Sequence, residues 1–276
     1  MTTTPDATPA GKVLLVVGTA SHAGKSTMVA GLCRHFANRG LRVAPFKAQN
    51  MSLNAAATLD GGEIGRAQML QARAARATAS VHMNPVLLKP VSEQRSQVVL
   101  RGRVLATEEA RVYYTRRDAL WPVVADSLDT LRREHDLVIC EGAGSPVEIN
   151  LRDRDIVNME IALHAQAPTL LVGDIERGGV FAALHGTMLL LAPAERALVV
   201  GTIVNKFRGD ATLFEPGPRL LHELTGVPTL GVVPYLRDLA LPEEDALGLE
   251  RTGGDDDAAA LDLAVIRLPH LSNFDD

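Results

Sequence analysis

The sequence predicts an α/β protein built on a doubly wound, mostly parallel sheet, and three observations predict it. Short β-rich apolar runs alternate with amphipathic stretches of helical length from residue 12 to residue 234. Of the 276 residues, 46% are hydrophobic but only 4% aromatic, so the core is one of Ala, Val and Leu, which suits parallel strands covered by helices. A Gly- and Ser-containing loop lies between the first strand and the first helix, at the kind of strand-to-helix junction where open α/β sheets bind ligands.

The elements follow in order. Residues 12–17 (KVLLVV) read as a buried strand. In residues 25–38, Val29, Leu32, Cys33 and Phe36 recur at helical spacing, and Gly40 stops the helix. Residues 42–46 restart as a strand. Residues 65–79, rich in Ala, Gln and Arg, predict a helix; residues 97–105 predict a hairpin or edge strand around Gly102; residues 119–134 predict an amphipathic helix. Strands at 137–140 and 168–173, a helix at 180–191, a strand at 197–204, a helix at 217–225 and a short strand at 231–234 complete the alternation. Residues 236–260, with Pro242, paired Gly253 and Gly254 and an acidic run at 255–257, read as a linker, after which 261–268 (LDLAVIRL) starts a new strand.

Composition narrows the function. The net charge is −5 with no Lys/Arg block, which argues against nucleic acid as a partner. The longest apolar runs fall far short of a membrane span. The two cysteines, Cys33 and Cys140, sit in apolar stretches and read as core residues of a reducing compartment, and the polar amino terminus lacks the order of a signal peptide. A cytoplasmic protein is expected. The eight histidines show no zinc-ligand spacing.

The strongest motif is Gly18-Thr19-Ala20-Ser21-His22-Ala23-Gly24-Lys25-Ser26, followed by Thr27, between strand and helix. A phosphate needs backbone N–H donors converging at a helix N-terminus, where the dipole also favours an anion. Gly24 lets the backbone approach, Lys25 neutralises β/γ-phosphate charge, and the Ser26 hydroxyl can ligate Mg²⁺. The first Gly lies one position early for the common P-loop, a spacing similar to that of the dethiobiotin synthetase and cobyrinate amidase group. A P-loop nucleoside-triphosphatase fold of dethiobiotin synthetase-like type is therefore expected, with ATP and Mg²⁺ as cofactors. His22 is the one histidine placed near the site.

Three further constellations follow strands. Lys47, after the second strand, would point to the phosphates and stabilise a transferring phosphoryl group or a bound carboxylate. Glu141, ending the run Asp136–Glu141, is a candidate magnesium ligand, and Gly142 and Gly144 beyond it would let substrate approach the backbone. Asn205 offers a donor and an acceptor to a purine edge, and Asp174 ends the preceding strand as a candidate substrate contact or a support of the switch-point loop.

With those residues in place the chain resembles a known family. PFKAQNMSLN (45–54), DGGEIGRAQ (60–68), MNPVLLKP (83–90), EGAGSPVEINL (141–151), NKFRGD (205–210) and LPEED (241–245) together resemble cobyric acid synthase, from about residue 12 onward. The resemblance implies ATP-dependent amidation of four peripheral carboxylates of adenosylcobyrinic a,c-diamide, giving adenosylcobyric acid in cobalamin biosynthesis. Each carboxylate would be phosphorylated and the acyl phosphate captured by ammonia. Gly24, Lys25, Ser26 and Thr27 match the nucleotide loop and Glu141 the acidic motif; Lys47 follows by analogy with the related synthetases. Asp60 is carried as a third metal candidate after Ser26 and Glu141, and Asn50 and Glu63 as substrate contacts. The domain organisation implied is a disordered amino terminus (1–11), a P-loop synthetase domain (12–235), the linker (236–260) and the start of a truncated glutamine amidotransferase domain (261–276). The Cys, His and Glu of that glutaminase are not in the chain, so ammonia, or a separate glutaminase domain or subunit, is the expected partner. Two alternatives stay open: a sibling ligase (cobyrinate a,c-diamide synthase or dethiobiotin synthetase) and a MinD/ParA-like ATPase switch. Against the switch, Ala20 stands where such ATPases carry an extra lysine.

Overall fold

The computed structural model describes residues 10–236. Apart from their bordering residues, the expected disordered amino terminus, the linker and the closing segment lie outside that range.

The chain begins with β1 (Lys12–Gly18), α1 (Lys25–Asn38) and β2 (Val43–Phe46). It then enters an insertion: β3 (Gln49–Met51), β4 (Ala55–Ala57), β5 (Glu63–Gly65), α2 (Arg66–Ala75), β6 (Val86–Pro90), β7 (Arg95–Leu100), β8 (Arg103–Glu109) and α3 (Ala110–Tyr114). The alternation resumes with α4 (Arg117–Glu134), β9 (Leu137–Glu141), α5 (Met159–Ala165), β10 (Thr169–Asp174), α6 (Val180–Leu190), α7 (Pro193–Arg196), β11 (Val199–Phe207), α8 (Gly217–Thr225) and β12 (Thr229–Pro234).

Six strands form the main sheet in the order β12-β11-β10-β1-β9-β2, with every neighbour parallel. From β1 the chain crosses to β2, returns to insert β9 between them, then passes to the other side of β1 for β10, β11 and β12. The switch point is β1, and a crevice outside the carboxyl ends of β1, β9 and β10 is where a doubly wound sheet binds ligand. The expected fold class is the observed one.

Strand alternation splits the core. Leu15 and Val17 of β1 pack in one cluster with Leu120, Val124, Leu128 and Leu131 of α4 and with Val180 and Leu184 of α6. Val16 points the other way and packs with Val29 and Cys33 of α1 and Ala75 of α2. Both cysteines are buried and free. Burial pushes the Cys33 thiol up to about 12 and Cys140 further still, as expected of inert core residues.

The insertion carries a second sheet in the order β3-β6-β7-β8, parallel only at β3–β6, and the two-stranded β4–β5. The expected hairpin is β7–β8, turning at Arg101 and Gly102, both at positive φ. Periodicity did not reveal β3 to β6: they are three to five residues long, too short for a period to register. The helix expected over 65–79 stops at Ala75, where Arg76 is left-handed and the Ala77 N–H closes on the Ala72 carbonyl at 2.9 Å. The strand expected from 197 starts at Val199, because Pro193 opens the short α7 instead, and it runs on to Phe207. Asn205 therefore sits inside the strand, not after it. Among the described residues no helix is long and apolar enough to cross a membrane.

Candidate functional site

The loop after β1 turns into α1 through Gly24, at φ 95°, a left-handed conformation that glycine adopts without strain. A Cβ there would also stand 2.0 Å from Asn205 Nδ2. That amide donates to the Ala23 carbonyl at 2.9 Å and so pins the loop to β11. The 14-residue α1 has no side-chain cap and no acidic residue in its first turn, which leaves its N-terminal N–H groups and dipole available to an anion. Lys25 is buried and folds back over the loop, its Nζ donating to the carbonyls of Ala20 and Gly144 at 2.9 Å each. Burial lowers its pKa to about 8; the Glu141 carboxylate opposes that shift and the nearby Lys47 charge adds to it.

Sheet register brings the next two groups together. Phe46 pairs with Cys140, so Lys47, the residue after β2, falls opposite Glu141, the last residue of β9. Lys47 Nζ donates to Glu141 Oε1 at 2.9 Å, and Ser26 Oγ donates to the same oxygen at 2.8 Å. Gln71 Nε2 donates to Glu141 Oε2 at 2.5 Å. Glu141 is 1% exposed. Burial pulls its pKa up, but the Lys47 charge and the hydrogen bonds from Lys47, Gln71 and Ser26 hold it below the usual carboxylate range, so it is an anion. A hydroxyl whose proton is given to a carboxylate still has lone pairs for a cation. Ser26 and Glu141 thus form a hard oxygen pair of the sort that holds Mg²⁺ together with phosphate oxygens.

The turn after β9 is braced by Asn158, whose Oδ1 accepts from Ala143 N at 3.1 Å and whose Nδ2 donates to Ala143 O at 2.9 Å. Gly142 is required beneath it, since a Cβ would come within 2.3 Å of Asn158 Oδ1. The brace sets the Gly144 carbonyl that receives Lys25.

Residues 14–247 match the model of the CobQ/CobB/MinD/ParA nucleotide binding domain. The chain belongs to that family. Similar curated proteins include the cobyric acid synthases of Desulforudis audaxviator (60% identical, covering 96% of this chain and 53% of that protein) and Herpetosiphon aurantiacus (57% identical, 96% and 54%). The chain spans about half the length of these curated relatives. Among solved structures it is similar to the signal recognition particle receptor FtsY of Elizabethkingia anophelis, at 18% identity and a TM-score of 0.46 over 84% of this chain and 61% of that chain.

In this member of the family the remaining expected residues divide. Gly18, Thr19, Ala23, Gly24, Lys25, Ser26 and Thr27 build the loop and the helix start, and His22, at φ 59°, lies exposed on the loop. Asn50 is buried and donates to Gln68 Oε1 at 3.0 Å. Glu63 is paired with Lys89 at 2.6 Å, and Asp174 with Lys206 at 2.9 Å. Asp60 is exposed and accepts from the Val81 N–H at 3.0 Å. Among the described residues no three His, Cys, Asp or Glu side chains gather as a metal cluster. Gln71 and Asn158 were not singled out from sequence. Gln71 lies three residues beyond the EIGRAQ motif, on the same helical face as Gln68, and that spacing was the available signal. A cavity of about 580 Å³ opens between the ends of α1, α2 and α4, lined by Gly40, Arg42, Arg76 and His135 among others, and none of the candidate site residues lines it.

Proposed function

We propose that the chain is the ATP-dependent amidating portion of a cobyric acid synthase. It activates peripheral carboxylates of adenosylcobyrinic a,c-diamide as acyl phosphates, which ammonia then captures to form adenosylcobyric acid. The observation that carries the reading is the convergence of Lys25, Lys47, Ser26 and Glu141 at the switch point of the sheet, in a chain 57% to 60% identical to curated cobyric acid synthases. A carboxylate is a poor electrophile. Its oxygen attacks the γ-phosphorus and ADP leaves; ammonia then attacks the acyl carbon, phosphate leaves and a proton is lost.

The protein contributes position and charge. The loop from Gly18 to Thr27 holds the phosphates, Asn205 fixes the loop beside the purine, and Lys25 and Lys47 face the charge that develops on the transferring group. Ser26 and Glu141 would hold Mg²⁺, which when bound neutralises charge between the phosphates. Asn50, Glu63, Gly142, Gly144 and Asp174 remain candidate substrate contacts, and Asp60 a peripheral one for metal. The synthetase domain is assigned to residues 12–235, followed by the linker and the start of a glutamine amidotransferase domain. A glutaminase domain or subunit supplies the ammonia, in the cytoplasm.

The test is mass spectrometry of adenosylcobyrinic a,c-diamide incubated with the chain, Mg-ATP and ammonium, against Lys25→Ala. Stepwise carboxylate-to-amide mass changes that vanish in the variant are expected. Activity that appears only with an added glutaminase would assign the ammonia source to that partner. No product under either condition, with nucleotide still bound, would sink the amidation reading and leave the nucleotide site standing.

A further inference from the structure

The Glu141 cluster is flanked by a row of buried carboxamides that the reaction as described does not use. Gln68 and Gln71 lie on one face of α2 and are 0% and 1% exposed. Each has one hydrogen-bonded end. Asn50 Nδ2 donates to Gln68 Oε1 at 3.0 Å, and Gln71 Nε2 donates to Glu141 Oε2 at 2.5 Å and, more weakly, to the Ser26 carbonyl at 3.4 Å. Each also has a buried end with no partner: Gln68 Nε2, a donor, and Gln71 Oε1, an acceptor. Flipping the Gln71 amide would set its oxygen against the ionised Glu141, so the orientation is chemically determined. Gly65 makes the row possible, because a Cβ there would stand 2.5 Å from Asn50 Nδ2, 2.6 Å from Gln68 Oε1 and 3.2 Å from Asn84 Oδ1. Buried polar atoms are ordinarily hydrogen-bonded, and an orphaned carbonyl on a side chain that holds the Glu141 carboxylate lacks a donor that the site must bring with it.

Resting on the nucleotide and magnesium reading above, we propose that Gln71 is a positioning residue of the metal centre. Its Nε2 holds Glu141 Oε2, so that Oε1 faces Ser26 and Lys47. Its own Oε1 receives a hydrogen bond from a metal-bound water. Mg²⁺ gives up its waters reluctantly and keeps several of them, and each is a strong donor. A neutral carboxamide suits this place better than a second carboxylate, which would repel Glu141 across a short buried gap.

Mn²⁺ is the probe, titrated by electron paramagnetic resonance into the full chain saturated with a non-hydrolysable ATP analogue. Gln71→Met, close in shape but without polar atoms, is expected to weaken Mn²⁺ affinity by about ten- to a hundredfold, the range found when supporting residues around a metal are removed. Affinity for the analogue in the presence of EDTA should stay that of the unmodified chain. Unchanged Mn²⁺ affinity, or equal losses of analogue affinity with and without metal, would overturn the proposal. Should Gln71→Met fail to fold, a crystal structure of the unmodified chain with Mg²⁺ and the analogue decides. A metal-bound water within hydrogen-bond distance of Gln71 Oε1 supports the proposal, and a metal shell that leaves this oxygen unpaired refutes it. An unmodified chain that binds no analogue at all is a different result: it removes the parent reading, and this proposal with it.

Discussion

Two lysine–carboxylate pairs stand at carboxyl ends of strands in the same sheet, with the same 2.9 Å separation, and their surroundings differ. On one side of β1, Lys47 and Glu141 have side chains 8% and 1% exposed. On the other side, Lys206 and Asp174 are 24% and 11% exposed. Glu141 collects hydrogen bonds from three side chains brought by α1, α2 and the end of β2. Asp174 accepts from its close neighbour Glu176 N–H and from Lys206 on the adjacent strand. Distance alone does not tell the two pairs apart. What differs is the number of separate elements that converge on the carboxylate and the loss of water around it.

Thermal unfolding tests the contrast most severely. Glu141→Ala removes the buried carboxylate that accepts from Lys47, Ser26 and Gln71, and should cost about 3–5 kcal/mol of stability. A melting temperature no lower than that of Asp174→Ala would erase the distinction between the two sides.

Lys25→Ala should lower amidation or ATP turnover by about 10²–10³-fold, the usual effect of removing one preorganised donor from developing charge. Turnover within the range of the unmodified chain would mean that Lys25 lies outside the chemistry.

The lowered Lys25 pKa adds a pH signature. In the free chain the ammonium is expected to titrate near pH 8; phosphate oxygens bound beside it would raise that value, so nucleotide binding above this pH is expected to take up a proton. Nucleotide affinity is then flat below the free-chain value and falls by up to about tenfold per pH unit above it, until the raised pKa of the complex is reached. Calorimetry in two buffers of different ionisation enthalpy reads the proton uptake directly, and identical heats in both at alkaline pH would contradict it.

The smallest effect belongs to the other pair. Asp174→Ala should cost no more than about 1 kcal/mol, because a partly exposed ion pair gains little over its hydrated components. A loss as large as that for Glu141→Ala would mean that the β10–β11 corner is as tightly bound into the structure as the phosphate side.

Much of this was legible in sequence because it is local. The strand, glycine loop and helix from Lys12 to Asn38 are contiguous, and the observed helix begins and ends where the pattern placed it. Glu141 could be singled out because a strand announces its own end. Asn205 was placed after its strand, because the pattern could not tell how far β11 continues. Gln71 was overlooked because a buried glutamine on an Ala- and Arg-rich helix looks, from sequence, like one more solvated residue.

By itself the sequence determined the α/β class, the phosphate loop with Lys25 and Ser26, and the strand-end positions of Lys47 and Glu141, because side-chain period and turn chemistry act over a few neighbouring residues. Tertiary structure alone decided that β9 lies between β1 and β2, that Lys47 and Gln71, 94 and 70 residues away in the chain, meet at Glu141, and that the short strands of the insertion form at all. Strand order and register depend on which faces can be buried together, and that is a property of the packed whole, not of any local stretch of chain.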